Sequence, residues 1–168
     1  MTIREMIEAD IERAVAINQA NLADVDSVGE DELAAILGSS RMALAAEGPE
    51  KALAGFAVVV DRSCRLLTTR AAWALANPVT DLHLERVTFD MQYSGLGLGP
   101  ALFGELDERL LALAAASNAG RLTLTSLVRR DPPNEHAIHF HEAKGFAVVD
   151  QRAFGETVLD LTAKSYPS

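Results

Sequence analysis

The segment Leu82 to Ala114, "LHLERVTFDMQYSGLGLGPALFGELDERLLALA", decides the fold, because three structural patterns follow one another in it without a break. "LHLERVTFD" is rich in β-formers and alternates. Leu82, Leu84, Arg86 and Thr88 are assigned to one face of a strand, and His83, Glu85, Val87 and Phe89 to the other. The octet Gln92 to Gly99, "QYSGLGLG", then places Gly95, Gly97 and Gly99 at alternate positions and contains no lysine or arginine. From Leu98 onward, Leu102, Leu106 and Leu110 recur on one helical face, broadened by Phe103, Leu113 and Ala114, with Gly120 just beyond the end. A strand, a glycine turn and a long helix are predicted in that order. Backbone N–H groups converging at such a turn, backed by the positive end of a helix, hold an anion such as a pyrophosphate without basic side chains. A Walker-type loop requires Gly-Lys-Ser/Thr, whereas Pro100 and Ala101 follow Gly99. A dinucleotide fingerprint requires G-x-G-x-x-G in an opening βαβ unit, and this G-x-G-x-G lies mid-chain after a hairpin. A tight turn that binds nothing is the competing reading.

Working outward, "TIRE" reads as a first strand and "DIERAVAINQANL" as a helix with Ile11, Val15, Asn18 and Leu22 toward a core. Ser27 with Glu30 forms a capping-box pattern ahead of "DELAAIL", and Gly38 is placed to end that helix. "RMALAAE" and "ALAGFAVVVD", joined by "GPEK", read as an antiparallel hairpin. The connection from Ser63 to Thr80 carries a helix, "TTRAAWALAN", with Trp73, and its length suits a substrate cover. After the long helix come a strand "RLTLTSLVR", a loop "RDPPN", a short helix "EHAIHFHEAK" stopped at Gly145, and a hairpin around Phe154-Gly155. The class is mixed α/β, with antiparallel pairs at both ends, and the 168 residues are expected to form a single domain, 1–168.

Hydrophobic residues make up 49% and charged residues 23%, a globular composition. The start lacks the apolar core of a signal peptide and no window is long enough to span a bilayer, so a soluble cytoplasmic protein with no membrane partner is expected. A lone Cys64 excludes an internal disulfide. With 24 acids against 15 bases the net charge is −9, which disfavours nucleic acid as a partner and mildly favours cationic ones.

"DMQYSGLGLGPALF" resembles the acetyl-CoA pyrophosphate loop of the GNAT-type N-acetyltransferase superfamily, (Arg/Gln)-x-x-Gly-x-(Gly/Ala), with Ser94, Gly97 and Gly99 on its defined positions. About 40 residues later "NEHAIHFHEAKGF" resembles that superfamily's Asn-x-x-Ala-x-x-(Phe/Leu)-Tyr-x-x-x-Gly-Phe, matched by Asn134, Ala137, Phe140, Gly145 and Phe146. "LERVTFD", the strand ending in "RRDPPN" and "FHEAKGF" look like a poorly characterised subgroup of predicted acetyltransferases. The resemblance implies a GNAT-like α/β fold, a mixed sheet of roughly six to seven strands flanked by about four to five helices. It implies transfer of an acetyl group from acetyl-CoA, as co-substrate, to a small-molecule amine, and a possible homodimer. Ser94 replaces the basic residue or glutamine, and Leu96 a site often basic in relatives. Phosphate binding would then rest on the amides of Gly95, Leu96, Gly97, Leu98 and Gly99, with Pro100 suited to the first helical turn. Arg129 or Arg130 is the candidate to compensate for the missing charge, against the default of a solvated loop arginine. An offset register with Gln92, Gly95 and Gly97 also fits the pattern.

Amine acetylation needs a proton acceptor for the attacking amine, stabilisation of an oxyanion and a fate for the thiolate. In the resembled fold the fourth strand splays from the fifth around the thioester. Glu85 and His83 share one face of that strand, about 7 Å apart by the strand repeat, so both address the gap. Glu85 is the leading general base, through water; a carboxylate paired with a neighbouring cation is the alternative. His141 stands where the pattern has tyrosine, and as imidazolium it would protonate the thiolate. The resemblance gives the backbone of Val87, Phe89 and Met91 to the pantetheine amides, and Asn134 and Phe140 to the same arm; Asn134 also reads as a helix cap. His136 and His139 lack further ligands at matching spacing, so no metal is expected. The long connection with Trp73 and the acidic balance point to a cationic or aromatic amine. A non-catalytic acyl-CoA binder or sensor and a structural partner-binding domain are the rivals.

Overall fold

Eight consecutive buried residues, Leu53–Val60, form the strand about which the other elements are layered. The computed structural model describes residues 1–167. In chain order the elements are β1 (Thr2–Glu5), α1 (Ile11–Gln19), α2 (Glu30–Ser39), β2 (Met42–Glu47), β3 (Leu53–Val60), α3 (Thr69–Ala76), β4 (Leu82–Phe89), α4 (Leu98–Ala116), β5 (Arg121–Asp131), α5 (Glu135–Ala143), β6 (Ala147–Phe154) and β7 (Thr157–Pro167). One seven-stranded sheet runs β1-β2-β3-β4-β5-β7-β6. Every pairing is antiparallel except β4 with β5, so the sheet is mixed, as the pattern of hairpins and crossovers predicts.

Two apolar layers hold the helices to the sheet. On one face α4 buries Leu98, Leu102, Phe103, Leu106 and Leu110 against Leu44, Ala57, Val59, Leu84 and Leu124, with Phe140 and Phe146 beside them. On the other, Ala14, Ile17, Leu33, Ile36 and Leu75 from the first three helices cover Phe56, Val58 and Val60. Each fully buried leucine or phenylalanine contributes about 1.5–3 kcal/mol relative to exposure, so β3, which feeds both layers, anchors the molecule. Among the described residues no helix is long and apolar enough to cross a membrane.

Several local expectations shift. The buried stripe of α1 is Ala14, Ile17 and Asn18, while Leu22 lies beyond the helix and is exposed. Ser27 does not cap α2: Gly29 is the cap residue, and the Ser27 hydroxyl pairs with the Gln19 side chain. Gly38 sits inside that helix, which ends at Ser39. In contrast, Thr68 caps α3 by accepting from the Ala71 amide at 3.1 Å, as its place ahead of "RAAWALA" suggests.

The largest departure is in β4. Val58 pairs with Arg86 and Val59 with Leu84, so Glu85 is an extra residue with no partner on β3. Such a bulge reverses the alternation beyond it. Leu82 and Leu84 face α4, and after the bulge Val87 and Phe89 do so, while Arg86 turns to the α1 side, where it meets Asn18. The uniform two-face assignment for this strand is therefore corrected.

His83 also differs from its expected place. It pairs in the ladder with Thr125, where β4 and β5 are still joined, is 1% exposed, and its Nδ1 lies 3.0 Å from Thr125 Oγ1. It therefore cannot address a gap between the strands. Burial pushes its pKa down to about 4.

Two outcomes are expected. Below its unfolded-state value of 6.5, an unfolded His83 takes up a proton that the folded protein refuses until about pH 4. Stability should therefore fall as pH drops through that window, by up to about 3 kcal/mol from this residue. Unfolding curves of His83→Gln between pH 7 and 4 should show a shallower pH dependence than the parent; the buried His141, shifted the same way, leaves a residual slope. An unchanged slope contradicts the buried placement. Gly55→Ala would set a Cβ 2.3 Å from Phe89 Cδ1 and 3.0 Å from the Thr88 carbonyl oxygen. Thermal unfolding should record a loss of about 1–3 kcal/mol, roughly 2–10 °C.

Candidate active site

The gap lies where β4 and β5 part. They pair only through Leu82–Leu124, His83–Thr125 and Leu84–Ser126, although β4 continues to Phe89 and β5 to Asp131. Pairing stops one residue before the Glu85 bulge. Beyond it, the outer edge of β4 has no strand neighbour among the described residues. The Asp90 amide donates to the Ala54 carbonyl on β3, so alternation turns the main-chain groups of Val87 and Phe89 toward the gap. The Phe89 carbonyl there accepts from Asn21 Nδ2 at 3.1 Å. Met91 follows in a single helical turn, Met91–Tyr93, and is 69% exposed. Asp90 caps that turn through the Gln92 amide and is held by Arg13.

The glycine turn lies next to this edge. Gly95 has φ 82° and Gly97 φ 75°, left-handed values that other residues adopt at a cost, and Gly97 is the residue from which α4 starts. The amides of Gly97, Leu98 and Gly99 make no hydrogen bond among the described residues, whereas that of Leu96 reaches the Tyr93 carbonyl. Pro100, in the first turn, has no N–H to leave open. Gly99 is helical; a Cβ there would touch Phe140 and Phe89 at ordinary distances of 3.8 and 3.9 Å. The backbone thus requires glycine at Gly95 and Gly97, and at Gly99 only close approach of a ligand would. Ser94 flanks the turn and Leu96 is exposed on it. Neither Arg129 nor Arg130 reaches the turn: Arg129 binds the Ala23 carbonyl and Arg130 the buried Asp160. The suggestion that they replace the missing charge is set aside.

Glu85 and Arg86 form a bidentate pair, Nε–Oε2 2.6 Å and Nη2–Oε1 2.7 Å, with side chains only 3% and 2% exposed. Adjacent residues in a regular strand point to opposite faces, so the bulge is what permits this pair. Arg86 Nη1 also donates to Asn18 Oδ1 at 2.7 Å, and Asn18 Nδ2 donates to the Asp26 carbonyl at 2.9 Å. Sequence reasoning offered the paired carboxylate as an alternative for Glu85 but did not find Arg86 or Asn18. A carboxylate has about four lone-pair sites, and the guanidinium occupies two.

His141 is buried at the base of α5. Its Nδ1–H donates to the Ala137 carbonyl at 2.8 Å, so Nε2 accepts from the Ser126 hydroxyl at 2.9 Å. Burial pushes its pKa down, although the bond to Ala137 opposes this. The ring is thereby held neutral with its one proton committed to a carbonyl, which does not fit the imidazolium role expected of it. Asn134 caps α5 by accepting from the Ala137 amide at 3.1 Å and donates to Asp24 at 2.6 Å. The Phe140 ring stands edge-on to Phe103 at 4.8 Å, below the glycine turn.

The segment between α1 and α2 crosses the opposite side of the gap. Besides Asn21 on Phe89, Arg129 Nη1 donates to the Ala23 carbonyl at 2.5 Å, Arg86 Nη1 reaches that of Asp26 at 3.4 Å, and Arg70 pairs with the Asp26 carboxylate at 3.5 Å. Trp73 stands edge-on to Phe154 of the β6–β7 hairpin at 5.6 Å, so α3 and the hairpin tip close that side together. Among the described residues no group of three or more His, Cys, Asp or Glu side chains is arranged to hold a metal ion.

No family model matches the sequence, and no curated protein matches it. Solved structures match the fold across nearly its whole length. The ribosomal-protein-S18-alanine N-acetyltransferase from Escherichia coli superposes with TM-score 0.73 at 21% identity, covering 99% of this chain and 94% of that one. An aminoglycoside 6'-N-acetyltransferase complexed with coenzyme A gives 0.71 at 14% identity, with coverages of 100% and 98%. A GNAT superfamily phosphinothricin acetyltransferase from Sinorhizobium meliloti, in complex with acetyl-CoA, gives 0.70 at 18%, with 99% and 88%. With its parted β4 and β5 and its glycine turn at the head of α4, the chain has the fold of the GNAT-type N-acetyltransferase superfamily.

Proposed function

We propose that this chain transfers an acetyl group from acetyl-CoA to the amine of a small molecule, working in the cytoplasm, where acetyl-CoA is available and Cys64 stays reduced. The observation that carries this reading is the conjunction of an unpaired β4 edge with unpartnered amides at the start of α4. A pantetheine arm is a strand-like chain of amides, and a free strand edge is its natural complement. The amides of Gly97, Leu98 and Gly99, with the helix terminus behind them, suit a pyrophosphate. Similar structures that hold acetyl-CoA or coenzyme A support this assignment.

Acetyl-CoA supplies an activated carbonyl carbon. The amine attacks it as the neutral base, its proton passes through water to the free lone pairs of Glu85, and the C–S bond breaks. Arg86 fixes the Glu85 carboxylate in place, and an outward N–H of β4, at Val87, serves the oxygen that gains charge. No proton from His141 is required, because a thiol titrating near pH ~8.5 is a fair leaving group.

Saturating acetyl-CoA should raise the melting temperature by roughly 5 °C or more, as a ligand at about 100 times its Kd adds about 2.7 kcal/mol. Gly97→Val should abolish most of that rise and Ser94→Ala little of it; equal effects contradict the backbone site. Glu85→Gln should lower kcat by about 10²–10⁴-fold while the acetyl-CoA shift persists. The same change removes the counter-ion of buried Arg86, so the free variant should be less stable by about 3–5 kcal/mol. A parent protein that binds acetyl-CoA but acetylates no amine would be a non-catalytic acyl-CoA binder.

A further inference from the structure

Arg129 Nε is the one buried side-chain nitrogen or oxygen without a hydrogen-bond partner among the described residues. It belongs to the stretch of β5 that has left β4, on the face covered by the α1–α2 segment. Its other nitrogens are used: Nη1 binds the Ala23 carbonyl, and Nη2 approaches Asp24 Oδ1 at 3.3 Å. A buried guanidinium N–H left open is costly, and a carboxylate is the partner whose geometry matches it.

A second arginine faces the same space. Arg129 and Arg152 both pair with Leu159, on β5 and β6 either side of β7, so they lie in register on one face, about 9–10 Å apart by the strand spacing. Arg152 packs over the Phe154 ring at 5.0 Å and has no carboxylate within ion-pair distance among the described residues. The remaining charges along this side are matched: Arg86 with Glu85, Arg70 with Asp26, and Arg129 with the half-exposed Asp24. Asp150 lies on the same face and is taken up by Asn77 at 3.3 Å. On a chain of net charge −9, the side of the gap remote from the glycine turn is thus balanced, four arginines against Glu85, Asp26, Asp24 and Asp150, and of the four Arg152 is the one with no carboxylate at ion-pair distance among the described residues.

We infer that the acceptor is an amine that also carries a carboxylate, an amino acid or a peptide end, held by Arg129 and Arg152 over Leu159 while its amine enters the gap. Trp73 and Phe154 offer an apolar wall for the rest of the molecule. A purely cationic amine, which the overall acidity suggests, would meet the two arginines as a like charge. This inference rests on the acetyltransferase reading above.

The test is an acetylation assay over L-amino acids, each paired with its C-terminal amide, together with calorimetry of the same compounds on the coenzyme A complex. The acid should exceed its amide in kcat/KM by about 10-fold or more, chiefly through KM, since a charge-assisted pair contributes on that scale. Arg129→Gln and Arg152→Gln should bring the ratio toward one, while thermal stabilisation by acetyl-CoA persists. Amides or polyamines preferred across the panel, or an unchanged ratio in Arg129→Gln, overturn the inference. If no compound is acetylated, calorimetry decides: acids that bind and lose affinity in Arg129→Gln uphold the carboxylate site, and acids that do not bind overturn it. Absence of any acetyl-CoA stabilisation would instead overturn the parent reading.

Discussion

The extra residue at Glu85 is the constraint on which the site depends. A bulge bends a strand and interrupts its ladder, and here the β4–β5 pairing ends at Leu84–Ser126, immediately before it. Three consequences share that origin. The outer edge of β4 is left without a strand neighbour among the described residues. Glu85 and Arg86 turn to one side and form a bidentate pair that no regular strand would allow. Val87 and Phe89 return to the α4 face, where Phe89 packs near Gly99 and beneath the glycine turn.

Much of this architecture was legible because it follows from strong local patterns. Leu98, Leu102, Leu106 and Leu110 of α4 are buried where a period near 3.6 puts them, and the hairpins at both ends follow from turn residues between apolar runs. The bulge was not legible: "LHLERVTFD" alternates without a flaw, and only the partner strand shows that one residue is surplus. The misplaced face of Arg86 descends from it. His83 was placed by counting along a strand, whereas its role depends on how far β5 keeps pace. The Ser27 cap fails where those of Thr68 and Asn134 hold, since Ser27 has a better partner in Gln19, eight residues back in the chain.

Electrostatics show the same division between composition and place. A net charge of −9 describes the whole surface, yet Arg70, Arg86, Arg129 and Arg152 gather on one side of the gap, matched in number by Asp24, Asp26, Glu85 and Asp150, because α3, β4, β5 and β6 converge there. At the turn, the opposite holds: the octet Gln92 to Gly99 itself contributes no lysine or arginine, and the fixed dipoles of Gly97, Leu98 and Gly99 are what an anion would meet. His141, in the place of a tyrosine, is tied to Ala137 and Ser126 as a structural group, which leaves proton handling to Glu85 in the proposed reaction.

Residue-resolved amide hydrogen exchange, followed by NMR with and without saturating acetyl-CoA, tests the central claim most directly. The account predicts that the amides of Val87, Phe89, Gly97, Leu98 and Gly99 gain protection together, while those of β1 and β2, on the far side of the sheet, do not change. Binding that leaves these five amides exchanging as in the free protein would contradict it.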